Sequence, residues 1–166
     1  MAARNAKLIS LDRLVCRRQS WQRAGKTVVF TNGIFDILHR GHVEYLDKAR
    51  WLGDVLIVGL NSDGSTRRLK GPSRPINTHA DRAAVLAGLA AVDYIVGFEE
   101  STPIELITAL QPDVLVKGAQ YKKSEIVGAA EVESWGGRVV RVSMRKGHST
   151  TALLEKAAHL AALKSR

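Results

Sequence analysis

The chain has 166 residues, of which 45% are apolar and 25% charged, enough for one compact core and short for two. Its net charge of +9 is spread over several small basic groups and only 5% of its residues are aromatic; scarce base-stacking platforms disfavour nucleic acid as a partner. No apolar run approaches the ~18 residues of a membrane span, charges interrupt residues 1–22 where a signal peptide would need an apolar core, and the one cysteine, Cys16, excludes an internal disulfide and a zinc site built on thiolates. A cytoplasmic protein of globular type is the expectation.

In chain order, an amphipathic helix is expected over 10–24, with Ser10 as its N-cap and Gly25 as its stop. Cys16 falls inside it and reads as buried or half-buried. Strands follow at 27–32 (TVVFTN), 55–60 (VLIVGL), 94–98 (YIVGF), 114–118 (VLVKG) and 138–143 (RVVRVS). Each is apolar along most of its length, as in a sheet covered on both faces. Helical patterns lie between and after them, at about 41–52, 79–90, 102–110, 123–135 and 149–163. This alternation predicts an α/β fold, a doubly wound Rossmann-like parallel five-stranded sheet with helices on both faces. It is read as a single domain over 26–166 preceded by a helical extension over 1–25. The longest irregular stretch, about 61–78, holds Gly64, Gly71, Pro72 and Pro75 with the cations Arg67, Arg68, Lys70 and Arg74. Ligands in such sheets sit beyond the carboxyl ends of the strands, where strand order reverses. The loops after the first, second and fourth strands, and the one before the last helix, therefore become the candidates.

The stretch TNGIFDILHRGH, Thr31 to His42, leads from the first strand into a helix. It lacks the GxGxxG spacing of a dinucleotide loop. His39 and His42, at i and i+3, share one face of the helix start, and Gly41 clears the space between them. Two histidines alone do not make a metal site, and histidines at helix starts also serve simply as caps. Anion contact fits better, because a helix N-terminus presents unpaired N–H groups to which imidazole adds donors. A second segment of the same character is GHSTTALLEKA from Gly147, where Ser149, Thr150 and Thr151 put hydroxyls at a helix start. Lys117, at the end of a strand and before Gly118, is well placed for a phosphate.

His39-Arg40-Gly41-His42 resembles the HxGH signature of the nucleotidyltransferases, and GHSTT is similar to their STT element. The span from about Ser10 to Ala162 resembles the heptose 1-phosphate adenylyltransferases more closely, through TNGIFDILHRGHVEYLDKARWLGD, VGLNSDGSTRRLKGPSRPIN, DRAAVLAGLAAVDYIVGF, TPIELITALQPDVLVKG and GHSTT. The resemblance implies transfer of AMP from ATP to a sugar 1-phosphate, D-glycero-D-manno-heptose 1-phosphate, giving ADP-heptose and pyrophosphate. Domain 26–166 would then be the nucleotidyltransferase domain. Some relatives carry a sugar kinase domain before this one; none precedes it here, so a separate kinase is expected to supply the acceptor. Relatives often form homodimers.

By the same resemblance His39 and His42 contact the triphosphate and stabilise its transition state, with Lys70 as a mobile cation closing over it. Ser149, Thr150 and Thr151 hold the β- and γ-phosphates. Arg82 matches a basic position that reaches the phosphates, although a solvated helix charge explains it equally. Thr31, Asn32, Gly33, Phe35, Gly41, Lys117 and Gly118 complete the nucleotide side. Asp36, Asn61, Asp63, Arg74 and again Lys117 are assigned to the acceptor, while Asp36 also reads as a residue that orients the first loop or caps a helix. Mg²⁺ would come with ATP, held mainly by phosphates and not by a protein cluster. The chain departs from the resemblance at Ile34 and His148, where relatives have cysteine, and at Ala119-Gln120-Tyr121, where they favour glycine–aspartate–tyrosine. Two rival readings remain: a cytidylyl- or flavin-type transferase acting on another acceptor, and a non-catalytic nucleotide- or nucleic-acid-binding module.

Overall fold

The computed structural model describes residues 6–143 and 150–164. Five strands, β1 (Val28–Gly33), β2 (Val55–Asn61), β3 (Tyr94–Phe98), β4 (Val114–Gly118) and β5 (Arg138–Val142), form one sheet. All pairings are parallel and the order is β3-β2-β1-β4-β5. The chain builds outward from β1 to β3, then returns to lay β4 on the other side of β1. Strand order therefore reverses between β1 and β4, and a crevice opens beyond their carboxyl ends. Residues 7–9 run beside β3 as a bridge, with Ile9 N–H donating to Ile95 O at 3.0 Å and Ile95 N–H to Lys7 O at 2.7 Å. That contact covers a sheet edge.

Among the described residues seven helices accompany the strands: α1 (Leu11–Arg23), α2 (Arg40–Arg50), α3 (Asp63–Lys70), α4 (His79–Ala87), α5 (Ile104–Leu110), α6 (Ala129–Ser134) and α7 (Thr150–Lys164). Side chains alternate across a strand, and the two faces of the sheet separate accordingly. Val29, Leu56, Val58 and Val116 face a core that includes Leu46 of α2 and Leu86 of α4. Val28, Phe30, Ile57 and Leu115 face Leu14 of α1, Ile107 of α5 and Val132 of α6. Each such side chain fully withdrawn from water contributes about 1.5–3 kcal/mol. Every residue of β2 is buried, as an apolar run between two helical layers requires. No helix among the described residues is long and apolar enough to cross a membrane.

Three local expectations change. The first half of the supposedly irregular stretch 61–78 is helix α3, so Lys70 ends a helix and does not sit within a loop. The Ser62 side chain caps that helix by accepting from Ser65 N–H at 2.9 Å, and the Thr66 hydroxyl donates to Ser62 O at 2.7 Å. The helix expected over 123–135 is a 3₁₀ turn (Lys123–Glu125) and then α6. Gly128 breaks it at φ +85°, where an added Cβ would meet Ile107 Cδ1 at 2.6 Å. Cys16 is exposed, because α1 turns Leu14 and Arg18 inward and Cys16 lies between them on the opposite side.

Arg18, a cation of α1, is only 7% exposed. It donates to Leu110 O at 3.1 Å, Gln111 O at 2.9 Å and Asp113 Oδ1 at 2.9 Å. The other oxygen of Asp113 accepts from Val28 N–H at 2.7 Å. One ion pair thus ties α1 to the α5–β4 turn and to the start of β1. Ser10 occupies the N-cap of α1 without a side-chain hydrogen bond, and Gly25 takes the left-handed conformation at φ +66° after the helix.

Candidate active site

A cavity of about 440 Å³ lies at the switch point. It gathers residues from distant parts of the chain: Asn32 and Gly33 at the end of β1, His42 of α2, Asn61 at the end of β2, Lys70 and Arg74, Lys117 of β4, and Thr150 and Thr151 of α7. Among the residues expected at the site, Phe35 and Asp36 also line it. Gly118 borders a smaller adjoining recess. Ser149 lies outside the described residues, as does His148.

The β1–α2 turn is built to present the histidines. Phe35 adopts φ +47°, a conformation uncommon outside glycine that costs a non-glycine residue on the order of 1–3 kcal/mol and persists where its surroundings hold it. Its ring folds over Gly33, where a Cβ would meet Phe35 Cε2 at 2.9 Å; Gly33 is needed to let it do so. His39 sits at the N-cap of α2 but makes no side-chain capping bond. Its ring stacks on His42, with centroids 3.9 Å apart and planes 19° from parallel, while Phe35 packs edge-on against His42 at 5.2 Å. Gly41 is buried in the first turn of α2. Burial, reinforced by the neighbouring His39, pushes His42 down to about 4 against the opposing pull of the Ile37 carbonyl. At neutral pH the ring is therefore an uncharged donor.

Lys117 is the principal cation of the floor. Its Nζ donates to Asn32 Oδ1, and burial lowers it to about 8. Among the described residues the hydrogen bonds and ion pairs give it no carboxylate partner. A half-buried ammonium whose partner among the described residues is an amide favours the arrival of an anion. Thr31, expected at the nucleotide, is fully buried and turned away; its hydroxyl bonds to Tyr45 OH at 2.8 Å, and Tyr45 OH donates to Val116 O at 3.1 Å. It supports the floor from below.

The opposite wall is wired differently. Asp36, 4% exposed, accepts from Arg74 Nε at 2.7 Å, Ile76 N–H at 2.9 Å and Asn77 N–H at 2.9 Å. Burial alone would raise its pKa, but the Asn77 and Ile76 N–H groups and Arg74 outweigh it, leaving Asp36 below the ordinary carboxylate range. It is a clamp on the 74–77 loop and not a helix cap. Arg82 is 1% exposed and is not among the residues that line the cavity. It donates to Ile34 O at 2.6 Å, Asn77 O at 3.1 Å and Asp63 Oδ1 at 2.7 Å. It is neither a solvated charge nor a group turned to the cavity, but a strut joining the β1–α2 turn, the 74–78 loop and α3. Asp63 is correspondingly occupied by Arg82, and Asn61 Nδ2 by Ser65 Oγ at 3.0 Å. Ile34 lines the cavity and gives its carbonyl to Arg82.

Ser101, Leu69 and Tyr121 line the cavity without having been expected there. Ser101 and Thr102 follow β3 at the carboxyl edge of the sheet, and that position was the available signal for them. Among the described residues no group of three or more histidine, cysteine, aspartate or glutamate side chains is placed to hold a metal ion.

Residues 30–159 match the cytidylyltransferase-like family. The chain is 50% identical over 157 residues to the bifunctional protein HldE of Methylobacillus flagellatus and 58% identical over 135 residues to that of Syntrophotalea carbinolica, covering 95% and 81% of this chain. It spans only about a third of the length of these curated relatives, 32% and 28% respectively. The crystal structure of the lipopolysaccharide core biosynthesis protein from Thermoplasma volcanium superposes with a TM-score of 0.63 at 30% identity, covering 74% of this chain and all of that one. A family match across most of the sequence, together with relatives 50–58% identical over most of it, leads to one conclusion: this chain belongs to the cytidylyltransferase-like family.

Proposed function

We propose that the protein is a nucleotidyltransferase that moves AMP from ATP to a sugar 1-phosphate, D-glycero-D-manno-heptose 1-phosphate, releasing pyrophosphate and ADP-heptose. The observation that carries this reading is the cavity itself, which sets His42, Lys117 and the start of α7 around one polar space. The HldE relatives and the motif resemblance support the adenylyl and heptose parts of it.

An oxygen of the acceptor phosphate attacks the α-phosphorus in line, a new P–O bond forms, and the bond to the bridging oxygen breaks with its electron pair leaving on pyrophosphate. The acceptor phosphate is already ionised near neutral pH, so no strong base is required. Catalysis rests on holding two polyanions together and matching the charge that develops. Neutral His42, with His39 stacked on it, donates to the α-phosphate side. Thr150 and Thr151, with the N–H groups of the α7 start, hold the departing phosphates. Lys117 neutralises the floor between the substrates, and Lys70 closes from α3. ATP would bring Mg²⁺, which would help neutralise the phosphates; Asp36 and Asp63 are engaged by Arg74 and Arg82, so phosphate and water oxygens would supply most of its ligands. We assign the protein to the cytoplasm and expect a homodimer, checked by light scattering.

The test is pyrophosphate release over a panel of ATP, CTP and other triphosphates against several sugar 1-phosphates. ATP with heptose 1-phosphate should be the preferred pair. Preference for CTP with a polyol phosphate, or for a flavin acceptor, would replace this reading.

A further inference from the structure

Three recesses meet at one ridge. Asn32, Lys117 and Tyr121 line all of them. The first is the main cavity, and of the three it alone is lined by Thr150 and Thr151. The second, about 180 Å³, is walled by Phe35, Tyr45, Gly118 and Gln120. The third, about 260 Å³, runs between the loop after β3 and the 3₁₀ turn, and carries Ser101, Thr102 and Glu125 above the buried Pro103 and Ile126. Resting on the transfer reaction proposed above, we infer that this third recess receives the polyhydroxylated body of the acceptor, with Ser101, Thr102 and Glu125 reading its hydroxyls.

The geometry of the reaction supplies the first reason. In-line transfer requires the acceptor to arrive opposite the departing pyrophosphate. If Thr150 and Thr151 mark the pyrophosphate side, the acceptor must come from a branch they do not line, yet one that still reaches Lys117. The third recess meets both conditions.

Chemistry separates it from the second recess. Glu125 puts a carboxylate there, held in place by accepting Lys122 N–H at 2.9 Å. Such a charge repels phosphate but accepts strongly from neutral hydroxyls. The exposed Ser101 and Thr102 hydroxyls both donate and accept, and Pro103 with Ile126 offers an apolar floor to a sugar's C–H face. The second recess has aromatic walls and a glycine, suited to a flat base. The acceptor residues expected from the sequence are less available: Asp36, Asp63 and Asn61 bond to Arg74, Arg82 and Ser65. The sugar moves from that wall to the β3 side.

Steady-state kinetics of the full chain with ATP and D-glycero-D-manno-heptose 1-phosphate tests this. Glu125→Gln and the double variant Ser101→Ala/Thr102→Val should each raise KM for the sugar about tenfold and leave KM for ATP within about twofold, as loss of one or two ligand hydrogen bonds does. With a shorter hexose 1-phosphate as acceptor the penalty should shrink, because fewer hydroxyls reach the recess. Circular dichroism of each variant checks folding, and Thr102→Ser gives a milder change for comparison. A rise in KM for ATP alone, or no rise in either, overturns the inference while wild-type turnover upholds the proposed function. Absence of turnover by wild type with any sugar 1-phosphate overturns the proposed function itself, and this inference with it.

Discussion

Two sets of polar and charged side chains flank the same cavity, and they are wired in opposite ways. On the α3 side, Asp36 and Arg74, and Asp63 and Arg82, are fully paired and also bonded to backbone. On the β4 side, Lys117 has an amide for a partner and His42 is held neutral against His39. Paired charges hold loops in register and ask for no ligand. A half-buried cation with no carboxylate partner among the described residues, beside a neutral histidine, is satisfied by a bound anion. The contrast separates scaffold from receptor around one cavity.

Substitutions at Arg82 should break the comparison most severely. Arg82→Met leaves Asp63, Ile34 O and Asn77 O without their shared donor and should destabilise the fold by about 3 kcal/mol or more, read by urea unfolding. Arg82→Lys should recover only part of that, because one ammonium cannot span three acceptors. On the receptor side the pattern reverses. His42→Ala should leave the urea midpoint nearly unchanged but lower kcat roughly a hundredfold, the ~3 kcal/mol of one transition-state donor.

Lys117 sharpens the same contrast through pH. With its pKa lowered to about 8 by burial, kcat/KM should fall as pH rises through about 8 and the floor loses its charge. Lys117→Arg should remove that alkaline limb, since guanidinium stays protonated. An unchanged limb in the arginine variant would assign it to another group.

A smaller effect is expected in acid. His42 titrates near 4 in the fold against 6.5 as its model value, so the unfolded chain takes the proton first as pH drops. Stability contributed by neutral His42 is present above about 6.5 and lost as pH falls towards 4. His42→Asn should flatten that part of the stability profile. The smallest change is expected for Thr150→Val/Thr151→Val, a rise of about tenfold or less in KM for ATP.

The sheet was legible because its strands are apolar runs between turn signals, and β2 is the clearest case. Helix α3 was not: Asp63-Gly64-Ser65-Thr66 has weak helix propensity, and its stability comes from the Ser62 cap and the Thr66 back-bond, which composition does not display. Spacing and strand-end position marked the two histidines, Lys117 and the Thr150–Thr151 pair as separate anion contacts, and only the resemblance joined them into one site; the fold brings His42, Lys117 and both threonines to one cavity. Arg82 was misread as a surface or phosphate-facing charge. It shares a helix face with Leu86, four residues on and fully buried, and that spacing was the visible hint. The role of Asp36 as a clamp depends on N–H groups forty residues away, which no local pattern reveals.

The most direct test of the receptor side measures pyrophosphate release with ATP and D-glycero-D-manno-heptose 1-phosphate, comparing the wild-type chain with His42→Ala at equal folded concentration. The account predicts sustained release that requires both substrates in the wild type and a loss of about a hundredfold in the variant. Equal release by the two proteins, or none by a folded wild type, would contradict it.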